Sequence, residues 1–192
     1  MAIYRIDMKR QLGFTLIELM TGLAVAGVLL SLAVPSFNNL IMDNRRSARL
    51  NDLVAHLNIA RSEAIRRSKP VMLCTSTFAA NPPQCDGGAN WENGFMSWVD
   101  LDRSGAANPS NLNEILRTYQ EAPVPNFSIR SANIANQIVF DTRARPDDPG
   151  TFTVCDQRGA GSARAVLLRP TGRAGSSQWD EGGSALVLAC PP

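Results

Sequence analysis

Residues 13–35 read GFTLIELMTGLAVAGVLLSLAVP, and this stretch decides the fold. From Phe14 to Val34 the only charged side chain is Glu18, and Pro35 closes the run. Sixteen uncharged residues from Leu19 to Val34 follow Phe14, Leu16 and Ile17. As a helix rising ~1.5 Å per residue, that is about enough to cross a hydrocarbon core of ~30 Å. The preceding segment, residues 1–13, carries Arg5, Lys9 and Arg10 against Asp7. Basic residues just before an apolar span hold that end in the cytoplasm, so the chain after Pro35 is expected across the membrane.

An export signal would share the basic start and the apolar middle, with Ala24-Val25-Ala26 as its cleavage site. Glu18 argues against it. A carboxylate in an apolar membrane helix costs up to ~3 kcal/mol at the centre and less near an end, and it rarely stands without a partner. A disposable signal has no use for such a group. A positive charge brought to the same depth by another molecule would relieve it.

Gly13-Phe14-Thr15-Leu16-Ile17-Glu18-Leu19 resembles the N-terminal signature of type IV pilins and pseudopilins. The resemblance implies cleavage after Gly13 by a membrane-embedded prepilin peptidase and methylation of the new N-terminus at Phe14. It further implies that Glu18, fifth in the mature chain, faces the N-terminal amine of a neighbouring subunit. An amine and a carboxylate that meet in lipid remove each other's desolvation cost, which favours assembly and sets its axial register. Removal of residues 1–13 lowers the 19 basic and 17 acidic side chains to 16 of each, so the net charge of +2 belongs to the leader.

Beyond Ser36 the pattern becomes periodic. Leu50, Leu53, Val54, Leu57, Ala60 and Ala64 recur at the spacing of one helical face, and Arg45, Arg46, Arg49, Asp52, His56, Glu63, Arg66 and Arg67 fill the others. Lys69-Pro70 ends the stretch. One long helix is thus expected from Phe14 to about Ser68. Residues 14–35 form its membrane or filament-core half, residues 36–69 its amphipathic continuation, and Pro35 is the place for a kink. Asp52 and His56, four apart, read as a solvated surface pair. The Arg45, Arg46, Arg49 cluster reads as a polar face, open to lipid headgroups or neighbouring subunits.

After Pro70 short apolar runs take over. Val71–Cys74, Phe95–Val99, Ile115–Tyr119, Gln137–Phe140, Thr151–Val154, Ala165–Leu168 and Ala185–Leu188 read as strands, with Phe127–Arg130 as one more. The segments between them, including Asn81-Pro82-Pro83, Asp147-Asp148-Pro149-Gly150 and Gly172 to Gly183, read as turns. The fold class is α+β: a long N-terminal helix packed on a β-rich domain, residues 70–192, of antiparallel strands. Trp91 to Asp100 (Trp-Glu-Asn-Gly-Phe-Met-Ser-Trp-Val-Asp) and Glu114-Ile115-Leu116-Arg117, after a strand ending in Cys74, resemble the FimT/FimU minor pilins and the H-type pseudopilins of type II secretion. That resemblance implies a pilin-like fold and a minor subunit near a filament tip.

The four cysteines, Cys74, Cys85, Cys155 and Cys190, follow the membrane segment and so fall in a disulfide-permissive compartment. Four cysteines allow three pairings. Cys74–Cys85 would close a short loop around Pro82-Pro83, and Cys155–Cys190 would tie a strand to the C-terminus. Asp100-Leu101-Asp102-Arg103-Ser104-Gly105 opens like a calcium loop, but Asn111 stands where the bidentate acid belongs, and a tight turn is the better reading. Asp147-Asp148 also reads as a turn. Some FimT-type pilins bind DNA through a Gly-Arg-x-Arg tail. Here Gly172-Arg173-Ala174 is followed by Gly175, so the second Arg is missing, and Asp180 and Glu181 oppose phosphate contacts. Arg164, Arg169 and Arg173 remain a possible small patch.

In 192 residues, 44% hydrophobic and 19% charged, there is room for one globular domain plus the helix. A single histidine leaves no nucleophile–base pair to assemble, so neither enzyme nor cofactor nor metal site is expected. The resemblance implies other minor and major pilins or pseudopilins, prepilin peptidase and inner-membrane lipid as partners, with DNA a lesser possibility. It places the chain in a bacterial inner membrane, with the β-rich domain in the periplasm, and in a pilus or pseudopilus. Three roles follow from it: initiating or capping a pilus, serving as a minor pseudopilin of type II secretion, or receiving DNA.

Overall fold

The computed structural model describes residues 14–88, 90–103, 108–109, 111–120, 127–177 and 190. Its single long helix, α1, spans Leu16–Arg67. The chain divides between Met42 and Asp43 into two compact units.

In the first unit α1 is apolar and exposed, with Leu19, Leu23, Leu29, Leu32 and Phe37 among its bare side chains. It is long and apolar enough to cross a membrane. Two of its hydroxyls are satisfied within the helix, as lipid would demand: Thr21 Oγ1 donates to the Glu18 carbonyl at 3.0 Å and Ser31 Oγ to that of Val28 at 2.7 Å. The helix runs through Pro35, whose missing N–H leaves the Ser31 carbonyl without its usual donor.

The second unit begins with the amphipathic part of α1, which buries Leu50, Leu53, Leu57, Ala60 and Ala64. Among the described residues eight strands follow: β1 Val71–Thr75, β2 Phe95–Val99, β3 Ile115–Tyr119, β4 Ser128–Ala132, β5 Gln137–Phe140, β6 Gly150–Cys155, β7 Arg164–Leu168 and β8 Ala174–Ser177. They form two four-stranded antiparallel sheets, ordered β3-β2-β1-β5 and β4-β6-β7-β8. The α1 stripe meets the inward faces of both in one core, built from Val71, Leu73, Phe95, Val99, Ile138, Phe140, Ile129, Phe152, Val154, Val166 and Leu168. Because strand side chains alternate, Met72, Cys74, Met96 and Trp98 emerge on the other face of the first sheet and form a second cluster with Phe78 and Cys85.

At Gly94 and Gly172 a close backbone approach coincides with a positive φ. Gly172 (φ +77°) lies so close to the Ala144 carbonyl that no Cβ would fit, and Gly94 (φ +141°) holds a Cβ position only 2.7 Å from the Tyr119 carbonyl.

Three sequence expectations are corrected. Ala174–Ser177, assigned to the turn-rich Gly172–Gly183 segment, is the edge strand β8, paired with Ala165–Leu168. Its small residues carry no strand preference, and the ladder to β7 alone makes it one. His56 is not half of a solvated pair with Asp52: it is fully buried. It follows Leu53 by three positions and precedes Ala60 by four, which puts it on the core stripe. Arg46 and Arg49, expected on a polar face, are likewise buried at 5% and 3% exposure, while Arg45 is exposed. Ala185–Leu188, Asp180 and Glu181 lie outside the described residues.

Candidate functional site

The N-terminal turn of α1 carries the first group of residues. Gly13 lies outside the described residues. Phe14 is exposed, and Thr15 is the residue before the helix. The Glu18 amide donates to Thr15 Oγ1 at 3.2 Å, an N-cap bond that satisfies one of the first turn's orphan donors. Thr15-Leu16-Ile17-Glu18 thus has the spacing of a capping box, a signal that was present in the sequence. It puts the Glu18 carboxylate in the first turn, where the helix dipole favours a negative charge. Between Phe14 and Met42 the chain has no Lys, Arg or His, so no side chain in this stretch can pair with that carboxylate.

The second group stands where α1 enters the second unit. Arg46 Nη2 donates to Asp43 Oδ1 at 2.6 Å, and Nη1 to Asp156 Oδ2 at 3.3 Å and to the Ser162 carbonyl. Arg158 Nη2 reaches Asp156 Oδ2 at 2.6 Å and Asp43 Oδ1 at 2.8 Å. Two acids and two arginines therefore join the helix to the segment that leaves β6. The Arg158 hydrogen bond, over the opposing effect of burial, holds the carboxyls of Asp156 and Asp43 below the ordinary range, and both acids raise Arg158. Three residues on, the Arg49 guanidinium lies 4.5 Å from the centre of the Phe127 ring.

The cysteines pair as Cys74–Cys85 and Cys155–Cys190, each with Cα atoms 5.7 Å apart. Cys155 directly precedes Asp156, so one disulfide and the charge group share a strand end. Asp100 is buried, and its amide donates to the Pro70 carbonyl at 3.0 Å; Ser104 and Gly105 lie outside the described residues. Asp147 closes a turn, accepting from the Val139 amide at 2.8 Å and from the Asp148 amide at 2.9 Å.

The three arginines of the expected basic patch do not converge. Arg169 and Arg173 flank the β7–β8 turn, where the Arg169 amide donates to the Arg173 carbonyl at 3.0 Å, and both line a cavity of about 260 Å³ with Leu167 and Ser176. Arg164 starts β7, at its other end, about 17 Å away at ~3.4 Å per residue.

This arrangement can be set beside known proteins. Residues 49–172 match the family described as type II transport protein GspH, and residues 8–34 match the prokaryotic N-terminal methylation motif. The chain belongs to the GspH family of pilin-like proteins. Among its relatives, the pilin-like protein PilA1 of Thermus thermophilus is 33% identical over 168 residues, covering 84% of this chain and 96% of that one. Two crystal structures of the type IV minor pilin FimU from Pseudomonas aeruginosa share the fold. One has a TM-score of 0.54 at 18% identity, covering 77% of this chain and 96% of that one. The other has a TM-score of 0.52 at 16% identity, covering 76% and 99%. In this pilin-like chain the methylation-motif match contains Gly13, Phe14 and Glu18, and the GspH match contains the body of both sheets.

Proposed function

We propose that this chain is a non-catalytic minor type IV pilin that helps initiate or cap a pilus. In this reading residues 1–13 are a leader cut after Gly13 by prepilin peptidase, and Phe14 is methylated. Residues 14–35 anchor the chain in the inner membrane, residues 36–69 continue the helix, and residues 70–192 form a periplasmic domain. Other pilins pair with the helix once it leaves the lipid for the filament.

The supporting observation is Glu18: one carboxylate in the first turn of an exposed apolar helix, with no basic side chain between Phe14 and Met42. Desolvated alone it is costly, and a neighbouring subunit's ammonium terminus is the group of opposite charge that assembly brings to that depth. Glu18→Ala should leave a stable membrane protein that is absent from sheared filaments. Normal incorporation of that variant, or a native chain beginning at Gly27 instead of methylated Phe14, would contradict the proposal.

A second reading, a minor pseudopilin of type II secretion, draws on the description of the matching family. Deletion of the gene decides between them: loss of secreted proteins with intact pili supports the pseudopilin, and loss of pili supports the pilin. DNA reception has less behind it, because Arg164 stands apart from Arg169 and Arg173. Absence of a gel shift at low salt would remove it.

A further inference from the structure

His56 is the one histidine of the chain and lies inside the core of the second unit with no exposed surface. Neither Nδ1 nor Nε2 has a hydrogen-bond partner. The ring stands edge-on to Phe95 on β2, with centroids 4.9 Å apart at 87°, and to Tyr119 on β3, at 6.1 Å and 80°. Phe95 and Tyr119 stack on each other at 4.6 Å. The imidazole therefore closes an aromatic cluster between α1 and one side of the first sheet.

That setting suits a neutral ring only. On α1 the nearest acids are Asp52, one turn before, which forms no ion pair with the ring, and Glu63, two turns after, which is held by Arg66 and Arg67. The facing segment of β2 offers no titratable group. On β3 the charged group is Arg117, whose field repels a second cation, and Tyr119 supplies an uncharged phenol. The buried carboxylates of these segments, Asp100 just after β2 and Glu114 just before β3, stand at the strand ends opposite Phe95 and Tyr119.

We propose that His56 makes the docking of α1 on the β2–β3 side of the domain acid-sensitive, the edge strand β3 parting from α1 when the ring takes a proton. β3 is the strand to yield because among the described residues it is an edge: it pairs there with β2 alone, its register shifts between Ser97 and Trp98, and it is only partly buried. Burial, and secondarily Arg117, lowers the His56 pKa from 6.5 to about 4. A proton then binds the open chain about 300-fold more tightly than the closed one. The sign follows: the stability tied to neutral His56 is whole above pH 6.5 and fades as the pH falls toward 4, before most surface carboxylates titrate.

The test uses the full mature chain in detergent micelles, made without a histidine tag, so that a ring-labelled sample gives one imidazole signal. We expect that signal to titrate below pH 5. We also expect amide protection of Ile115–Tyr119, relative to Gly150–Cys155, to fall between pH 6.5 and 4.5 in the wild type and to stay level in His56→Phe and His56→Leu. A ring titrating near 6.5 would overturn the proposal. So would β3 protection that keeps pace with β6 at every pH, or an unchanged fall in either variant. Should neither variant fold, the two wild-type measurements decide.

Discussion

Arg46 on α1 and Asp156 just past β6, 110 positions apart in the chain, meet at 3.3 Å in a nearly closed environment. Arg46 also holds Asp43 and the Ser162 carbonyl, so one side chain ties the helix to a strand end and to the loop after it. With Arg46 truncated, Arg158 still pairs Asp156 and Asp43, but the buried charge-assisted bonds to them and the donor to the Ser162 carbonyl are lost. Arg46→Ala should therefore destabilise the second unit by about 1.5–3 kcal/mol, read as a lower denaturation midpoint. The exposed pair Arg145–Asp141 provides the contrast: Arg145→Ala should change stability by less than about 1 kcal/mol. Equal losses at the two sites would refute the distinction.

The same charge group sets a pH dependence of its own. Asp156 has its carboxyl lowered chiefly by the Arg158 hydrogen bond. A lowered acid stabilises the fold above its unfolded pKa and loses that contribution as the pH falls through the folded value. Asp156→Asn should thus be less stable than the wild type at pH 7, with the gap closing below about pH 4. Acid unfolding of the wild type should then show two stages, the His56 stage between 6.5 and 4 and the carboxylate stage beneath it. Denaturation midpoints collected at half-unit pH steps for both chains would show whether the gap closes there.

How much of this could be read from the chain depended on whether the cause was local. The long helix, its apolar first half and most strands announce themselves by run length and period, since Leu50, Leu53, Leu57, Ala60 and Ala64 repeat at helical spacing and Phe95 to Val99 is apolar but for Ser97. The disposition of Glu18 and its Thr15 cap is equally local. The burial of Arg46, Arg49 and His56 was hidden because their residue types argued for solvent while their positions, in register with Leu53 and Ala60, argued for the core. What reconciles type with position is remote: Asp156 for Arg46, Phe127 for Arg49 and Phe95 for His56. β8 was hidden for a different reason, since Ala174-Gly175-Ser176-Ser177 is a strand only by virtue of its partner.

At Gly172 a single methyl group is expected to matter. The residue has φ +77°, and an added Cβ would collide with the Ala144 carbonyl and come within 3.1 Å of Arg61 Nε. Gly172→Ala should cost about 1–3 kcal/mol through backbone strain and the clash. Gly175→Ala, where a Cβ would meet nothing within 4 Å, should leave the thermal midpoint within about a degree, consistent with the near-neutral effect of open surface sites. A Gly172 variant as stable as the Gly175 variant would mean that the β7–β8 turn moves freely away from Ala144.

In the proposed role, the cap at Thr15 separates two jobs of the first turn of α1. Its hydroxyl accepts the Glu18 amide, and loss of such a cap costs about 0.5–2 kcal/mol of helix stability. Thr15→Ala should fray the first turn, seen as faster amide exchange at Leu16–Leu19 in micelles, while Thr15→Ser should restore protection. Because the Glu18 carboxylate remains in both, its charge is still available to a neighbouring subunit. Filament incorporation should therefore fall only partly in Thr15→Ala, recover in Thr15→Ser, and be lost in Glu18→Ala. If Thr15→Ala abolished incorporation as fully as Glu18→Ala, placement of the first turn rather than the carboxylate charge would be the feature that assembly requires.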